Sequence, residues 1–566
     1  MTHALARQAG SIIALVDPAL PTGQAILTGA AKPLTDRHAP IPAFRLALTW
    51  ANLLQLSRTL PGAVWDAELD AWALEQVQAR SASGEPISYT PPAGLVPYPW
   101  QAEAAGMFAR VGGNLYSDDP GTGKTVSALL AIMERELRHP GDALPALIVA
   151  PASVCSSWLS AIDAWLGPSW MRAVDHRGPR RSVDRIRQYS PELVVTSYDT
   201  MTRDVDALAK IAWGTLVLDE HHLIKNRKAK RTQAATKLGG KTRHAIALSG
   251  TPLTHSPDDV FATLRVLDPQ TWPDHDRYVS RYCDTVPDDY GEKVVGLRAD
   301  RAGEFYAAMA GSWRRVTKAD ALPFLPPKVY GRRTVTMPPK WRHAYDEFAA
   351  TMTADLPDGS ALDVMSVLTQ LTGLMAMTAG PCRVEYEPNK DPEKPDHVHV
   401  LLEPGSWKVE ALAEVLAERP DQQVLVFSPS RQLIELAAAR LEADGVSFAR
   451  VVGAQTPRTR DAEVAAFQAG QRRVMLATTQ AGGVGITLTA ASTVVFLSRP
   501  FSLVDALQAE DRAHRIGSER HESIEIIDIV TENSIDQRVA AILRERGQSL
   551  AEFLAGARGS EVRGLV

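Results

Sequence analysis

Cysteine is nearly absent: the 566 residues hold three, Cys155, Cys283 and Cys382. They lie far apart and fit no metal-ligand spacing, which leaves buried or idle thiols in a reducing compartment rather than a zinc module or a disulfide scaffold. No apolar run approaches the roughly 18 residues that a membrane span needs. The early stretch Ile12-Ile13-Ala14-Leu15-Val16 is broken at Asp17-Pro18, which excludes a signal peptide. Neither charge dominates: 61 Lys and Arg stand against 66 Asp and Glu, a net charge of −5. That excludes a coat of basic surface but not a local basic track. What remains is ordinary globular composition, 45% hydrophobic and 22% charged, in a chain long enough for three to four domains.

One stretch organises the chain. Asp118-Asp119-Pro120-Gly121-Thr122-Gly123-Lys124-Thr125 follows the strand-like approach Gly113-Asn114-Leu115-Tyr116-Ser117. It leads into a helical pattern with Val126, Leu129, Leu130, Ile132 and Met133 on one side. Strand, glycine turn and helix start form a phosphate cradle: Gly121 and Gly123 let the backbone approach an anion, and free N–H groups at the helix start point at it. Lys124 would reach the β/γ oxygens and the Thr125 hydroxyl would hold Mg²⁺. The full loop pattern wants a glycine where this chain has Asp118, so a glycine turn with a solvated lysine is the rival reading. Downstream, Thr215-Leu216-Val217-Leu218 reads as a buried strand ending in Asp219-Glu220-His221-His222. Carboxylates at the C-terminal end of such a strand sit where open α/β sheets do chemistry. Asp219 can hold the metal and Glu220 can orient or deprotonate water. An acidic strand end capping the next helix is the plainer alternative.

Residues 1–90 read as a small N-terminal accessory module, with Trp65 and Trp72 around a compact core of its own and a Ser/Gly/Pro-rich linker from Ser81 to Gly94. Gln101 lies shortly before the phosphate loop, and its amide suits an adenine edge. Apolar strands at 146–150, 193–198, 215–218 and 245–248 alternate with helical patterns. Residues 95–255 are therefore expected to form one parallel-sheet nucleotide-binding domain. Residues 256–400 read as helical insertions and a hinge, with Pro323, Pro326 and Pro327 in the middle and a polar loop from Glu385 to Asp396. A second α/β pattern fills 401–545, with strands near 424–427, 448–452, 474–477, 494–497 and 524–527, and 546–566 is a C-terminal tail. This second domain lacks a phosphate loop but carries Arg512 and Arg515, three apart and so on one helical face. A solvated face is the usual fate of such a pair; arginine fingers completing a phosphoryl-transfer site from a second domain are the sharper reading. Eight basic residues and no acid lie between Lys225 and Arg243, among them Arg227, Lys228, Lys230 and Arg231. This run suits a phosphate backbone, or merely a solvated face.

These motifs, in this order, resemble helicase superfamily 2, and in detail its SWI/SNF-type branch of double-stranded-DNA translocases. The branch markers are Ile224-Lys225-Asn226, Leu248-Ser249-Gly250-Thr251-Pro252-Leu253, Arg314-Arg315 before Leu325-Pro326-Pro327-Lys328, and Gln508-Ala509-Glu510-Asp511-Arg512-Ala513-His514-Arg515-Ile516-Gly517. The likeness spans about residues 95 to 545, and the stretch Leu60 to Trp72 is similar to a module found before the motor in the annealing-helicase subgroup. The chain departs from the branch at Asp119-Pro120 and Thr122, at Gly485-Ile486-Thr487-Leu488, and at Ser498-Arg499-Pro500-Phe501. The resemblance implies an α/β fold of two RecA-like parallel-sheet domains with helical insertions and the N-terminal module. It implies ATP and Mg²⁺ as cofactors, with Gln101, Gly121, Thr122, Gly123, Lys124, Thr125 and Gly485 at the nucleotide and Thr125 and Asp219 at the metal. Lys124, Glu220, Arg512 and Arg515 would serve hydrolysis. Pro151, Ser153, Ser197, Thr251, Ser428, Thr478 and Gly482 lie in boxes that track DNA phosphates, beside Lys225 and Arg227.

The expected activity is a DNA-dependent ATPase that translocates on or remodels double-stranded DNA. A strand-separating DNA or RNA helicase and an ATP-regulated DNA clamp with little turnover are the rivals. The expected setting is bacterial or phage-infected cytoplasm, with duplex DNA as partner, a recruiting protein unknown, no membrane, and a monomeric chain.

Overall fold

The computed structural model describes residues 3–16, 32–34, 43–82, 86–92, 94–167, 172–252, 256–288, 291–356, 361–363, 367–387, 397–453, 455–482 and 486–558. The chain divides into two compact units, residues 1–321 with 549–566, and residues 322–548. Each is built on a parallel sheet. Among the described residues no helix is long and apolar enough to cross a membrane.

The first sheet runs, edge to edge, Trp313–Arg314, Gly113–Tyr116, His244–Leu248, Thr215–Asp219, Ala146–Ala150, Leu193–Ser197, Ala173–Asp175, all parallel. Its central strands are buried along their whole length. Their continuous Ala/Val/Leu/Ile runs reflect helices on both faces, which leave no strand position facing water. The strand that precedes the phosphate loop lies next to His244–Leu248, and that strand lies next to the carboxylate strand. Register aligns Tyr116, Leu248 and Asp219 across the three. Three loops that are far apart in sequence therefore leave the same edge of the sheet side by side.

The second sheet has the order Lys328–Val335, Ile524–Thr531, Thr493–Phe496, Val424–Ser428, Val474–Thr478, Phe448–Val451, again all parallel. Residues 256–400 do carry helices, but they also give each sheet an edge strand: Trp313–Arg314 for the first and Lys328–Val335 for the second. A two-residue strand and an exposed edge strand have little periodicity, so sequence patterning passed over both. The helix Ile535–Arg558 runs on into the stretch expected to be a tail.

The N-terminal module is a five-stranded sheet with helices Trp50–Thr59 and Ala67–Ser81. Its core is not wholly its own. Ala307 and Ala310 belong to the same apolar cluster, and buried Trp50 donates its indole N–H to the Ala307 carbonyl at 3.0 Å. Trp65 and Trp72, the pair the sequence singles out, pack only at its margin. Within the connecting stretch, Ser88 and Tyr89 are held in place. Glu134, fully buried on the helix after the phosphate loop, accepts from the Ser88 and Tyr89 backbone at 2.7 and 3.1 Å and from Arg138 at 2.6 Å. A buried carboxylate must find donors, and this one takes them from the connecting segment.

Candidate active site

The phosphate loop is wound by its two glycines. Gly121 and Gly123 have φ of +89° and +84°, a region in which a side chain is strained. At Gly123 a Cβ would come within 2.4 Å of Gln101 Nε2. Gln101 is 3% exposed and its Oε1 accepts from Tyr98 N at 3.0 Å, capping its own helix Pro99–Val111. Its carboxamide oxygen is thus spent on a cap and its NH₂ lies against the loop. Thr122 donates its hydroxyl to the Asp119 carbonyl at 2.8 Å, and Trp100 holds the Thr122 carbonyl at 3.0 Å. Lys124 begins the helix Lys124–Arg138, and its ammonium folds back on the Asp118 and Asp119 carbonyls at 2.8 and 3.2 Å. Backbone carbonyls only half-satisfy an ammonium, so an anion seated in the turn would compete well for it. Thr125, one residue on, is half-buried on the first turn of the same helix.

The acid pair stands at the neighbouring strand end. Asp219 accepts from buried Trp158 Nε1 at 2.8 Å, while Tyr198 donates its hydroxyl to the Asp219 carbonyl at 2.8 Å. Glu220 has φ of +52°, a left-handed turn that starts the 3-10 helix His221–Ile224. Its Oε2 lies 3.3 Å from His222 Nδ1 and 3.4 Å from Ser249 Oγ. Burial, and then the charge of Glu220, push the Asp219 carboxyl up. Burial alone would raise Glu220 too, but the His222 hydrogen bond and the charges of His222 and Lys124 hold it low. The two carboxylates therefore differ in basicity, the less basic one facing the Ser249 turn. His221 is buried and, by burial and then the neighbouring His222 charge, pushed down to about 3; its Nδ1 pairs with Thr263 Oγ1 at 2.9 Å. Ser249 Oγ also accepts from Thr251 N at 3.1 Å, and a Cβ on Gly250 would meet Pro120 at 2.6 Å. The Ser249-Gly250-Thr251 turn is packed directly on the phosphate loop.

Sequence reasoning named Arg314 and Arg315 only as markers. In the structure they explain the aspartates at 118 and 119. Arg314 forms a two-point pair with fully buried Asp118, at 3.2 and 3.0 Å, and Arg315 pairs with Asp119. Asp118 also accepts from Val316 N at 3.0 Å and Asp119 from Lys318 N at 2.8 Å. The partners are some 196 residues apart in the chain, so only opposite charge, without any spacing rule, hinted at them. Trp158, Tyr198, His222 and Ser249 were likewise without an assigned role.

In the second unit, Arg512 and Arg515 both reach the Ile486 carbonyl, at 3.0 and 3.4 Å, and Arg515 also bonds Thr487 Oγ1 at 3.2 Å. Desolvation lowers the Arg515 pKa. Just before them in the chain, Glu510 receives Arg499 at 2.6 Å, Lys328 at 3.1 Å and the Tyr330 hydroxyl at 3.0 Å. Arg499 also pairs with Asp528 at 2.7 Å, so the substitution of the usual box by Ser498-Arg499-Pro500-Phe501 builds an ion-pair network there. Gly485 lies outside the described residues, and Gly482 ends the short helix Thr479–Gly482.

The candidate DNA-contacting residues fall at the C-terminal edges of their own sheets. Pro151 and Ser153 follow Ala146–Ala150, Ser197 ends its strand, Thr251 follows His244–Leu248, and Ser428 and Thr478 end paired strands. Ser197 and Ser428 are buried, and their hydroxyls accept from Thr200 N at 3.2 Å and Ser430 N at 3.0 Å. These two positions offer an outside ligand backbone rather than side chain. The basic run is not one track. Lys225 is half-buried and Arg227, Lys228, Lys230 and Arg231 are exposed just beyond the carboxylate strand. The helix Lys230–Gly239 then carries the chain about 15 Å away. Lys237 pairs with Asp206, and Arg243 binds the carbonyls of Gly141, Asp142 and Leu144 at the opposite edge.

Residues 63–379 match the family model for the SNF2-related domain, and residues 407–517 the helicase conserved C-terminal domain. A Caenorhabditis elegans homologue of the SWI/SNF-related matrix-associated actin-dependent regulator of chromatin subfamily A-like protein 1 is 29% identical, over 74% of this chain and 56% of its own. The mouse DNA annealing helicase and endonuclease ZRANB3 is 26% identical, over 79% and 40%. Arabidopsis thaliana protein CHROMATIN REMODELING 5 is 27% identical, over 75% and 25%. The chain thus spans from a quarter to just over half of these relatives' lengths. Among solved structures, the Sulfolobus solfataricus SWI2/SNF2 ATPase core in complex with dsDNA matches with TM-score 0.39 and 19% identity, covering 84% of this chain and 96% of that one.

Proposed function

The chain belongs to the SNF2-related family of helicase-like, DNA-dependent ATPases, and from that premise we propose that it hydrolyses ATP to ADP and phosphate to translocate on or remodel double-stranded DNA. The observation that carries the reading is the meeting of the phosphate loop, the acid pair and the Ser249-Gly250-Thr251 turn at three adjacent strand ends, in register at Tyr116, Asp219 and Leu248.

The residues fit a nucleotide and a divalent cation. Gly121 and Gly123 contribute no Cβ atoms to the cradle, and among the described residues Lys124 bonds carbonyls of its own loop. The Thr125 hydroxyl and the Asp219 carboxylate are hard oxygen donors suited to Mg²⁺. When bound there, Mg²⁺ supplies neutralisation of phosphate charge. The chain's own residues do the rest in this reading. Backbone N–H groups from Gly121 to Thr125, with Thr122 and Gly485, grip phosphates, and Gln101 fixes the loop beside the adenine edge. Lys124 leaves its carbonyls for the β/γ oxygens. Glu220, held ionised by His222 and oriented with Ser249, accepts a proton from the attacking water. Arg512 and Arg515 supply positive charge to the transferring phosphoryl group. Pro151, Ser153, Ser197, Lys225, Arg227, Thr251, Ser428, Thr478 and Gly482 line the path of DNA phosphates, contacts that need no base readout. The chain acts as a monomer in bacterial or phage-infected cytoplasm.

The test is steady-state hydrolysis with no nucleic acid, single-stranded DNA, plain duplex, forked duplex and RNA. Stimulation by plain duplex without ends or forks is expected. Stimulation by RNA or single strands alone would favour a strand-separating helicase, and DNA binding without turnover would favour a clamp.

A further inference from the structure

The aspartates that depart from the full phosphate-loop pattern, and the acids that precede the two arginines, are bound by one continuous piece of chain. Its first end is strand Trp313–Arg314, paired with Gly113–Tyr116. From there Arg314 grips Asp118 and Arg315 grips Asp119. The Val316 and Lys318 N–H groups donate to the same two carboxylates, and Asp119 N donates back to the Val316 carbonyl at 2.9 Å. Its other end starts at Pro326, whose carbonyl accepts from His514 Nε2 at 2.9 Å. Lys328 then reaches Glu510 at 3.1 Å and Asp511 at 3.2 Å, and Tyr330 reaches Glu510. Asp511 in turn holds Arg515, accepting its Nε at the backbone carbonyl at 3.2 Å.

Only residues 319–325 connect Lys318 to Pro326. Three prolines, at 323, 326 and 327, remove backbone freedom from this piece. Both clamps are built from buried or half-buried ion pairs, which cannot slip by small amounts because an unpaired buried charge is costly.

We propose that Arg314–Tyr330 is a coupling strap, and that Arg315 and Lys328 are positioning residues for hydrolysis that act through the carboxylates they hold. The inference rests on the proposed ATPase reading. A shift of the phosphate loop on nucleotide binding or release pulls Asp118 and Asp119, and with them the strap. The strap delivers that pull to the turn after helix Leu503–Glu510, where the Asp511 carbonyl orients Arg515. The alternative is that the two clamps are separate rivets, each stabilising its own unit.

The deciding experiment slackens the strap and leaves both clamps intact. A Gly-Ser-Gly insertion between Pro323 and Phe324 should leave DNA-free hydrolysis, the KM for ATP and the melting of the protein unchanged. Duplex-stimulated kcat should fall roughly tenfold, within the range by which coupling-path mutations act. Lys328→Met should lower the same stimulated kcat without raising the KM, and Lys328→Arg should restore part of it. The insertion combined with Lys328→Met should fall no further than either alone, since a slack strap has nothing left to transmit. Full stimulation in the insertion variant, or losses that multiply in the combined one, would overturn the strap. Absence of duplex stimulation in the unaltered protein would instead sink the ATPase reading on which it rests.

Discussion

Gly123→Ala tests the loop at its tightest point. The substitution must place a side chain at φ of +84° and a Cβ 2.4 Å from Gln101 Nε2. The left-handed backbone costs an alanine about 1–2 kcal/mol. Gln101 cannot stay, and moving it breaks its cap on Tyr98 N, worth about 1 kcal/mol. Together the penalty is about 2–3 kcal/mol, or roughly 3–4 °C in the melting of the unit that holds the loop. Nucleotide affinity should fall at least about tenfold, because a displaced loop misdirects its N–H groups. Thermal denaturation and titration with a fluorescent nucleotide read both effects. The specific claim is the clash with Gln101, so Gly123→Ala with Gln101→Ala should be less destabilised than the sum of the singles by about 1 kcal/mol. Strict additivity would refute the argument: the two side chains would then not compete for the same space.

Other expectations follow from the same geometry. Glu220→Gln should keep ATP binding while turnover drops by at least about 10²-fold, and near-normal turnover would remove Glu220 from the mechanism. Arg515→Ala should bind ATP and DNA almost normally yet lose duplex-stimulated hydrolysis, with Arg515→Lys a poor rescue because an ammonium lacks the planar fork. Alanine at Lys225, Arg227, Lys228 and Lys230 should flatten the salt dependence of DNA binding by up to about 0.9 per lost phosphate contact, whereas alanine at Lys237 and Arg243, at the opposite edge, should leave the slope alone. His244 is pushed down to about 4 by burial and the Arg135 charge, so the folded state binds fewer protons than the unfolded one between pH 6.5 and 4. Stability should therefore fall as pH drops through that window, by about 1–2 kcal/mol from this group, and His244→Gln should flatten the melting-against-pH curve there.

What the sequence determined by itself is local. Gly-x-Gly-Lys-Thr after an apolar strand, a strand ending in Asp-Glu, and apolar runs at the right spacing are signals written within about ten residues of chain. The burial of 146–150, 193–197 and 215–219 follows from their composition alone, and the helix after Lys124 from its periodicity. The tertiary structure decided what distant charges do to one another. Asp118 and Asp119, read from sequence as departures from a phosphate-loop pattern, are anchors for Arg314 and Arg315 nearly two hundred residues on. Gln101, picked out in the sequence by its place before the phosphate loop, also caps a helix and lies against Gly123. The basic run, continuous as letters, is divided by the helix Lys230–Gly239 between two edges of a sheet. Pattern reports which side chains are apolar and how often. It carries no record of which carboxylate a buried guanidinium will meet, because that pairing is set by strand order, and strand order exists only once the sheet has formed.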